Sequence, residues 1–167
     1  MLREREKGMT DMRVGIGYDS HRLVEGRRLI LGGVDIPSEK GLHGYSDADV
    51  VIHALMDALL GAAGLGDIGQ YFPDNDPEYK GADSVQLLMK VRLLMVERGW
   101  EAINADITIL AEQPMMRPYI GRMIANLEKA GMPKGSVNIK ATRGEGMGFI
   151  GRGEGIAAIA VAMVKRV

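Results

Sequence analysis

The chain of 167 residues contains no cysteine, which excludes disulfide bonds and thiolate chemistry. That absence is compatible with a reducing compartment, and a cytoplasmic location is expected. No excess of charge is present either: 21 basic and 22 acidic residues leave a formal net charge of −1. Neither nucleic acid nor an anionic membrane is therefore expected as a partner. No apolar run has the form of a signal-peptide core or a membrane span, and the opening stretch MLREREKGMTDM is charged and polar. Residues 1–12 read as a flexible leader, with Met9 and Met12 as alternative starts. What remains, residues 13–167, is long enough for one domain with a real core and too short for two of typical size. Glycine is abundant, with 23 residues crowded around turns and toward the C-terminus. Such glycine serves close backbone approach to a ligand, or tight turns alone.

Alternation of Val14, Ile16 and Tyr18 predicts a first strand over residues 13–18 that delivers Asp19 and His21 at its end. Leu29 to Leu31 and Val34 to Ile36 flank Gly32-Gly33 as a hairpin or a pair of short strands, and residues 38–45 read as loop. Ser46 followed by Asp49 resembles a capping box and opens a helix over residues 47–63. Further helices are expected over residues 84–98, with Leu87, Leu88, Val91, Leu94 and Met95 as a core stripe, and, after the Pro114–Pro118 loop, with Ile120, Met123, Ile124 and Leu127 inward and Gly131 after it. Ile103, Ala105, Ile107 and Ile109 alternate with polar residues in one strand, and Val137, Ile139 and Ala141 mark another. Strands that alternate with helices predict an α/β fold with a mixed sheet backed by helices on one face.

Asp19-Ser20-His21 offers two metal-ligating side chains two residues apart, and residues i and i+2 of a strand share a face. Of the three histidines, His53 is the most promising third ligand, and one carboxylate plus two imidazoles is a zinc-type set with an open position. Asp49, His53 and Asp57 share a helix face, so either carboxylate is expected to orient the imidazole. The competing reading is a strand-end Asp and His that bond locally, with His53 in a surface ion-pair row.

The second informative stretch, TRGEGMGFIGRGEG from Thr142 to Gly155, fits neither the Walker nor the dinucleotide spacing. It reads either as a flexible solvated loop or as a phosphate or metal loop using Thr142, Arg143 and Glu145. Ile156 to Val164 is apolar on both alternating faces, the pattern of a strand buried from two sides. One helix layer covers one face of a sheet, so the other asks for a partner, most simply further copies of the chain.

Asp19-x-His21, YSDADVVIHALMDALLGAAGLGDIG, FPDNDPEYKG and KATRGEGMGFIGRGEGIA, in this order and spacing, resemble the 2-C-methyl-D-erythritol 2,4-cyclodiphosphate synthase family over residues 13–167. The resemblance implies a homotrimer packed around its sheets, with active sites between subunits. It also implies a phosphorus–oxygen lyase of the non-mevalonate isoprenoid pathway. There the 2-phosphate of 4-diphosphocytidyl-2-C-methyl-D-erythritol 2-phosphate attacks the β-phosphorus, CMP leaves and the cyclic diphosphate forms.

By the same resemblance Asp19, His21 and His53 are zinc ligands, and Glu145 helps to hold magnesium or manganese. Asp67, Ile68 and Gly69 match positions at the ribose and methylerythritol ends of the ligand. Phe72, Pro73, Asp74, Asn75 and Asp76 match a substrate-binding loop. Ala111, Glu112, Gln113, Pro114, Met115, Met116 and Arg117 correspond to the cytosine-binding loop. Thr142, Arg143 and Gly144 lie at the phosphate-facing position, and Phe149 and Arg152 match an axial channel in which some relatives hold an isoprenoid diphosphate.

The chain departs from the pattern at Tyr45-Ser46, where a His-Ser pair is usual, and at Thr142-Arg143, where Thr-Thr is usual. Met115 and Gly146 replace lysines. Tyr45 and Arg143 are expected to act on the phosphates as hydrogen-bond donor and cation, with His43 as an alternative to Tyr45. The rival functions are a non-catalytic isoprenoid-diphosphate-binding trimer and a zinc hydrolase that activates water at the open metal position.

Overall fold

The structure, a computed structural model, describes residues 11–167; the leader assigned to residues 1–12 lies outside the described residues except for Asp11 and Met12. Met12 already belongs to β1 (Met12–Glu25), a strand of 14 residues. β2 (Leu29–Leu31) and β3 (Val34–Ile36) form a separate antiparallel pair. The main sheet has the order β4-β1-β7-β5-β6, built with β4 (Lys40–Leu42), β5 (Trp100–Leu110), β6 (Val137–Thr142) and β7 (Gly155–Arg166). β5 and β6 are parallel and the other pairings antiparallel, so the sheet is mixed as expected. α1 (Val50–Ala63) packs on β1 and β7, α3 (Ser84–Glu97) on α1 and β5, and α4 (Ile120–Lys129) on β6. Two one-turn helices, α2 (Ile68–Tyr71) and α5 (Gly148–Gly151), lie in the connections.

Burial explains why α1 is apolar around its whole circumference. It sits between the sheet and α3, and all of its residues except Asp57 and Gly61 are buried. It also rests directly on β1. A Cβ added at Gly15 would come 2.1 Å from the Ala58 carbonyl oxygen, and one at Gly17 would come 1.9 Å from that of Ala54. Only glycine on the strand allows this backbone-to-backbone approach, and it carries His53 against the next residue on that face, Asp19.

Three expectations are corrected. Asp19 and His21 do not end the first strand but lie inside it, paired with Ala158 and Ile156 of β7, and β1 runs on to pair with β4 in what read as loop. Polar residues interrupt the alternation there because that face of the strand opens into a cavity. α1 begins at Val50, with Asp49 as N-cap accepting from Ile52 N, while the Ser46 hydroxyl takes the Ala48 N–H; there is no capping box. In β5 a bulge between Ala102 and Asn104 shifts the phase, so Trp100 and Ala102 face inward before it and Ala105, Ile107 and Ile109 after it.

The far face of the sheet has no cover among the described residues. Val14, Ile16 and Tyr18 on β1 lie opposite Met163, Val161 and Ile159 on β7. Of these, Ile16 is 70% exposed and Tyr18 54%. Residues 142–155 pack on themselves: a Cβ at Gly144 would strike the backbone of Gly151, and one at Gly151 that of Gly146.

Candidate metal centre

β1 presents Asp19 and His21 toward α1, and α1 presents His53 toward them. The Asp19 Oδ2 lies 3.0 Å from His53 Nδ1 and 3.2 Å from His21 Nε2. One ligand atom from each residue lies within 4.8 Å of the others, and this is the only such cluster of three among the described residues. In a tetrahedral zinc site with bonds of about 2.0–2.1 Å, ligand atoms stand roughly 3.3–3.5 Å apart, so the trio fits an ion with small adjustments. Two imidazoles and one carboxylate suit zinc by donor type, and all three residues line a cavity of about 450 Å³ that leaves one side open to a ligand. Burial works against the Asp19 charge, but hydrogen bonds from His21 and His53 outweigh it and hold the carboxyl below its usual range. Burial likewise works against a charged His53, and Asp19 overrides it, raising the imidazole pKa.

Neither Asp49 nor Asp57 orients His53. Asp49 is fully buried and accepts from Gly32 N at 2.9 Å and Gly33 N at 2.8 Å as well as from Ile52 N, clamping the β2–β3 turn onto the start of α1. Asp57 accepts from Ile68 N at 2.8 Å. A capping carboxylate turns back to free N–H groups, so helical i, i+4 spacing did not bring it to the histidine. The ring nitrogen away from Asp19, Nε2, meets Ser84 Oγ at 2.9 Å and Ser46 Oγ at 3.3 Å. Ser84 was missed because it lies 31 residues from His53 with no local signal.

Burial, helped by the charge of Asp47 and opposed by the N–H groups of Gly33, Gly32 and Ile52, pushes the Asp49 carboxyl up to about 7. The folded protein thus holds a proton that the unfolded chain releases near the ordinary carboxyl value of 3.8. This contribution to stability is full below the unfolded value and is lost as pH rises through about 7. Asp49→Asn should therefore melt with a weaker loss of Tm between pH 5 and 8 than wild type, both measured with chelator present. An identical pH slope would show that Asp49 is ionised throughout.

His43, Gly44, Tyr45, Ser46, Ile68, Gly69, Phe72, Asp74 and Tyr79 line the same cavity as the trio. Tyr45 donates its hydroxyl to the Asp76 carbonyl at 2.9 Å, so it braces residues 72–76 rather than offering a free donor. Asp67 caps α2, and Asp76 caps the 3₁₀ turn Pro77–Tyr79. Ala111 to Arg117 line a second cavity of about 580 Å³, together with Ile120, Ile139, Lys140, Thr142 and Arg143. Arg143 donates to Glu112 Oε1 at 2.8 Å, and the other Glu112 oxygen accepts from Gly144 N at 2.8 Å. The two cavities share no lining residue. Glu145 is exposed, with a left-handed φ of 52°, and belongs to no ligand cluster among the described residues. Phe149 is exposed, and Arg152 pairs with Glu154 beside a third cavity.

Fold and site together define a mixed-sheet α/β protein with an open His₂-carboxylate centre and a separate, partly apolar cavity. A family model described as the YgbB family matches residues 12–165, and the chain belongs to that family. A 2-C-methyl-D-erythritol 2,4-cyclodiphosphate synthase of Alkaliphilus metalliredigens is 60% identical over 154 residues, 92% of this chain and 97% of that protein. The solved bifunctional IspDF of Campylobacter jejuni matches with a TM-score of 0.91 at 40% identity, covering 95% of this chain and 43% of that one. A solved 2C-methyl-D-erythritol-2,4-cyclodiphosphate synthase in its CDP-bound form matches with a TM-score of 0.82 at 37% identity, covering 91% of this chain and 99% of that one.

Proposed function

We propose that this enzyme cyclises 4-diphosphocytidyl-2-C-methyl-D-erythritol 2-phosphate to 2-C-methyl-D-erythritol 2,4-cyclodiphosphate, releasing CMP, in isoprenoid biosynthesis. The observation that carries the reading is the convergence of Asp19, His21 and His53 in a cavity that Phe72 and Asp74 also line. Its likeness to synthases over nearly their whole length supports the same reaction. The alternative of a non-catalytic isoprenoid-diphosphate binder finds no support in these relatives.

Asp19, His21 and His53 would hold zinc. Glu145, with the substrate phosphates, would hold magnesium or manganese, an ion commonly bound by one or two carboxylates and phosphate oxygens. Bound cations neutralise the diphosphate as one phosphate approaches another. The chain's own task is to fold the substrate back on itself, because the substrate supplies its own nucleophile and effective molarity does much of the rest. Backbone groups of residues 111–117 would read the cytosine between Ala111, Met116 and Ile139. Arg143, fixed by Glu112, would place positive charge beside the diphosphate. Tyr45 would hold residues 72–76 closed over the methylerythritol end through its bond to Asp76.

The two cavities belong to one active site when cavities of neighbouring copies meet, which the homotrimer would provide. Phe149 and Arg152 would then lie near the axis, where an isoprenoid diphosphate could be held. A cytoplasmic location accompanies this reading; no helix among the described residues is long and apolar enough to cross a membrane.

The test is incubation of purified protein with the diphosphocytidyl substrate, zinc and magnesium, with products followed by phosphorus NMR. CMP and cyclic diphosphate in equal amounts are expected. CMP with an uncyclised product would establish the hydrolase instead, and no turnover would overturn the synthase reading.

A further inference from the structure

An imidazole has two ring nitrogens, and the one presented to a metal is decided by what the other one bonds. At His53 the deciding group is Ser84, which is fully buried at the first turn of α3. Ser84 Oγ lies 2.5 Å from Asp47 Oδ1. An ionised carboxylate only accepts, so the hydroxyl proton goes to Asp47, and the lone pairs left on Oγ can only accept from His53 Nε2–H at 2.9 Å. Asp47 is itself fixed: Oδ2 accepts from Ser84 N at 2.9 Å, Oδ1 from Asp49 N at 3.1 Å, and its own N–H reaches the Ala82 carbonyl at 3.2 Å. Ser46 Oγ offers Nε2 a second, longer acceptor. The segment before α1, α1 itself and the start of α3 are thus joined through one imidazole edge.

We propose that Ser84, held by Asp47, is the positioning residue of the metal centre: it keeps the proton of His53 on Nε2 and leaves Nδ1 as the nitrogen presented to zinc. The proposal rests on the zinc reading above. Its consequence is that the ligand's orientation is set from α3 rather than from either carboxylate on its own helix face. The acceptor chain also makes the imidazole a better donor through Nδ1.

The test begins with wild-type protein labelled with ¹⁵N-histidine and loaded with zinc. Long-range proton–nitrogen correlation is expected to show His53 Nε2 as the protonated nitrogen and Nδ1 as the metal-bound one; the reverse assignment overturns the proposal, whatever the variants do. Ser84→Ala should then weaken zinc binding by about 10- to 100-fold in chelator competition at fixed pH. It should also shift the visible bands of the cobalt-substituted protein, and Ser84→Thr should restore both. Wild-type affinity and an unchanged cobalt spectrum in Ser84→Ala overturn the positioning role while leaving the zinc site standing. Failure of Ser84→Thr to restore them assigns the effect to packing and also overturns it. Wild-type protein that binds no zinc removes the metal reading and this proposal together.

Discussion

Alanine in place of His53 will leave a folded protein that holds no zinc and forms cyclic product at least on the order of 10³ times more slowly. Three candidate ligands from two elements converge: Asp19 and His21 from β1, and His53 from α1. Without His53 the remaining two come from one strand and leave half of a tetrahedral shell to solvent, so the ion is lost to any competing chelator. A cation at a reacting phosphate contributes several kcal/mol of charge stabilisation, and each 1.36 kcal/mol is about tenfold in rate. The structural cost is smaller. Ser84 keeps its bond to Asp47, and Asp49 still caps α1, so a loss within the usual range of about 0.5–3 kcal/mol is expected. Metal analysis after gel filtration checks the first part and circular dichroism the second. A purified variant still carrying about one zinc per chain would remove His53 from the ligand set.

The convergence of Asp19, His21 and His53 was legible in the sequence because its logic is local. Two-residue spacing puts Asp19 and His21 on one strand face, and few histidines compete for the third place. The two-sided apolar pattern of Ile156 to Val164 was legible for the same reason, since strand periodicity shows both faces at once. What escaped reading depends on bonds between distant segments. Asp49 looked like a partner for His53 on a helix face, yet its carboxylate serves Gly32 and Gly33, which only the tertiary fold brings to the helix start. Ser84 looked like one more helix-opening residue. Tyr45 read as a phosphate donor because the resemblance places it there, and only the fold shows its hydroxyl committed to Asp76. The length of β1 was underestimated because Asp19 to Arg22 are polar; with the metal cavity on one side and β7 alongside, that polarity does not interrupt the strand.

Ile16→Lys should turn a trimer into monomers and abolish cyclisation while leaving zinc bound. In one copy Ile16 is 70% exposed and stands among Val14, Tyr18, Ile159 and Val161 on a sheet face that no helix among the described residues covers. A contiguous apolar face of this kind marks an interface rather than ordinary surface. Opposite it, toward β5 and β6, the face turns polar: Asp106 takes bonds from Asn138 and Lys140, limiting the apolar seam to β1 and β7. A lysine at position 16 is tolerated in an isolated chain because it reaches water, but three copies meeting at this face would bury like charges without partners. Activity should follow assembly, because the metal cavity and the cavity of residues 111–117 share no lining residue within one chain. Zinc should not follow assembly, because all three proposed ligands belong to one copy. Sedimentation should give wild type about three times the 18.1 kDa chain mass and the variant a single chain mass. A monomeric wild type, or an Ile16→Lys monomer that still forms cyclic product, would show that one chain completes the site alone.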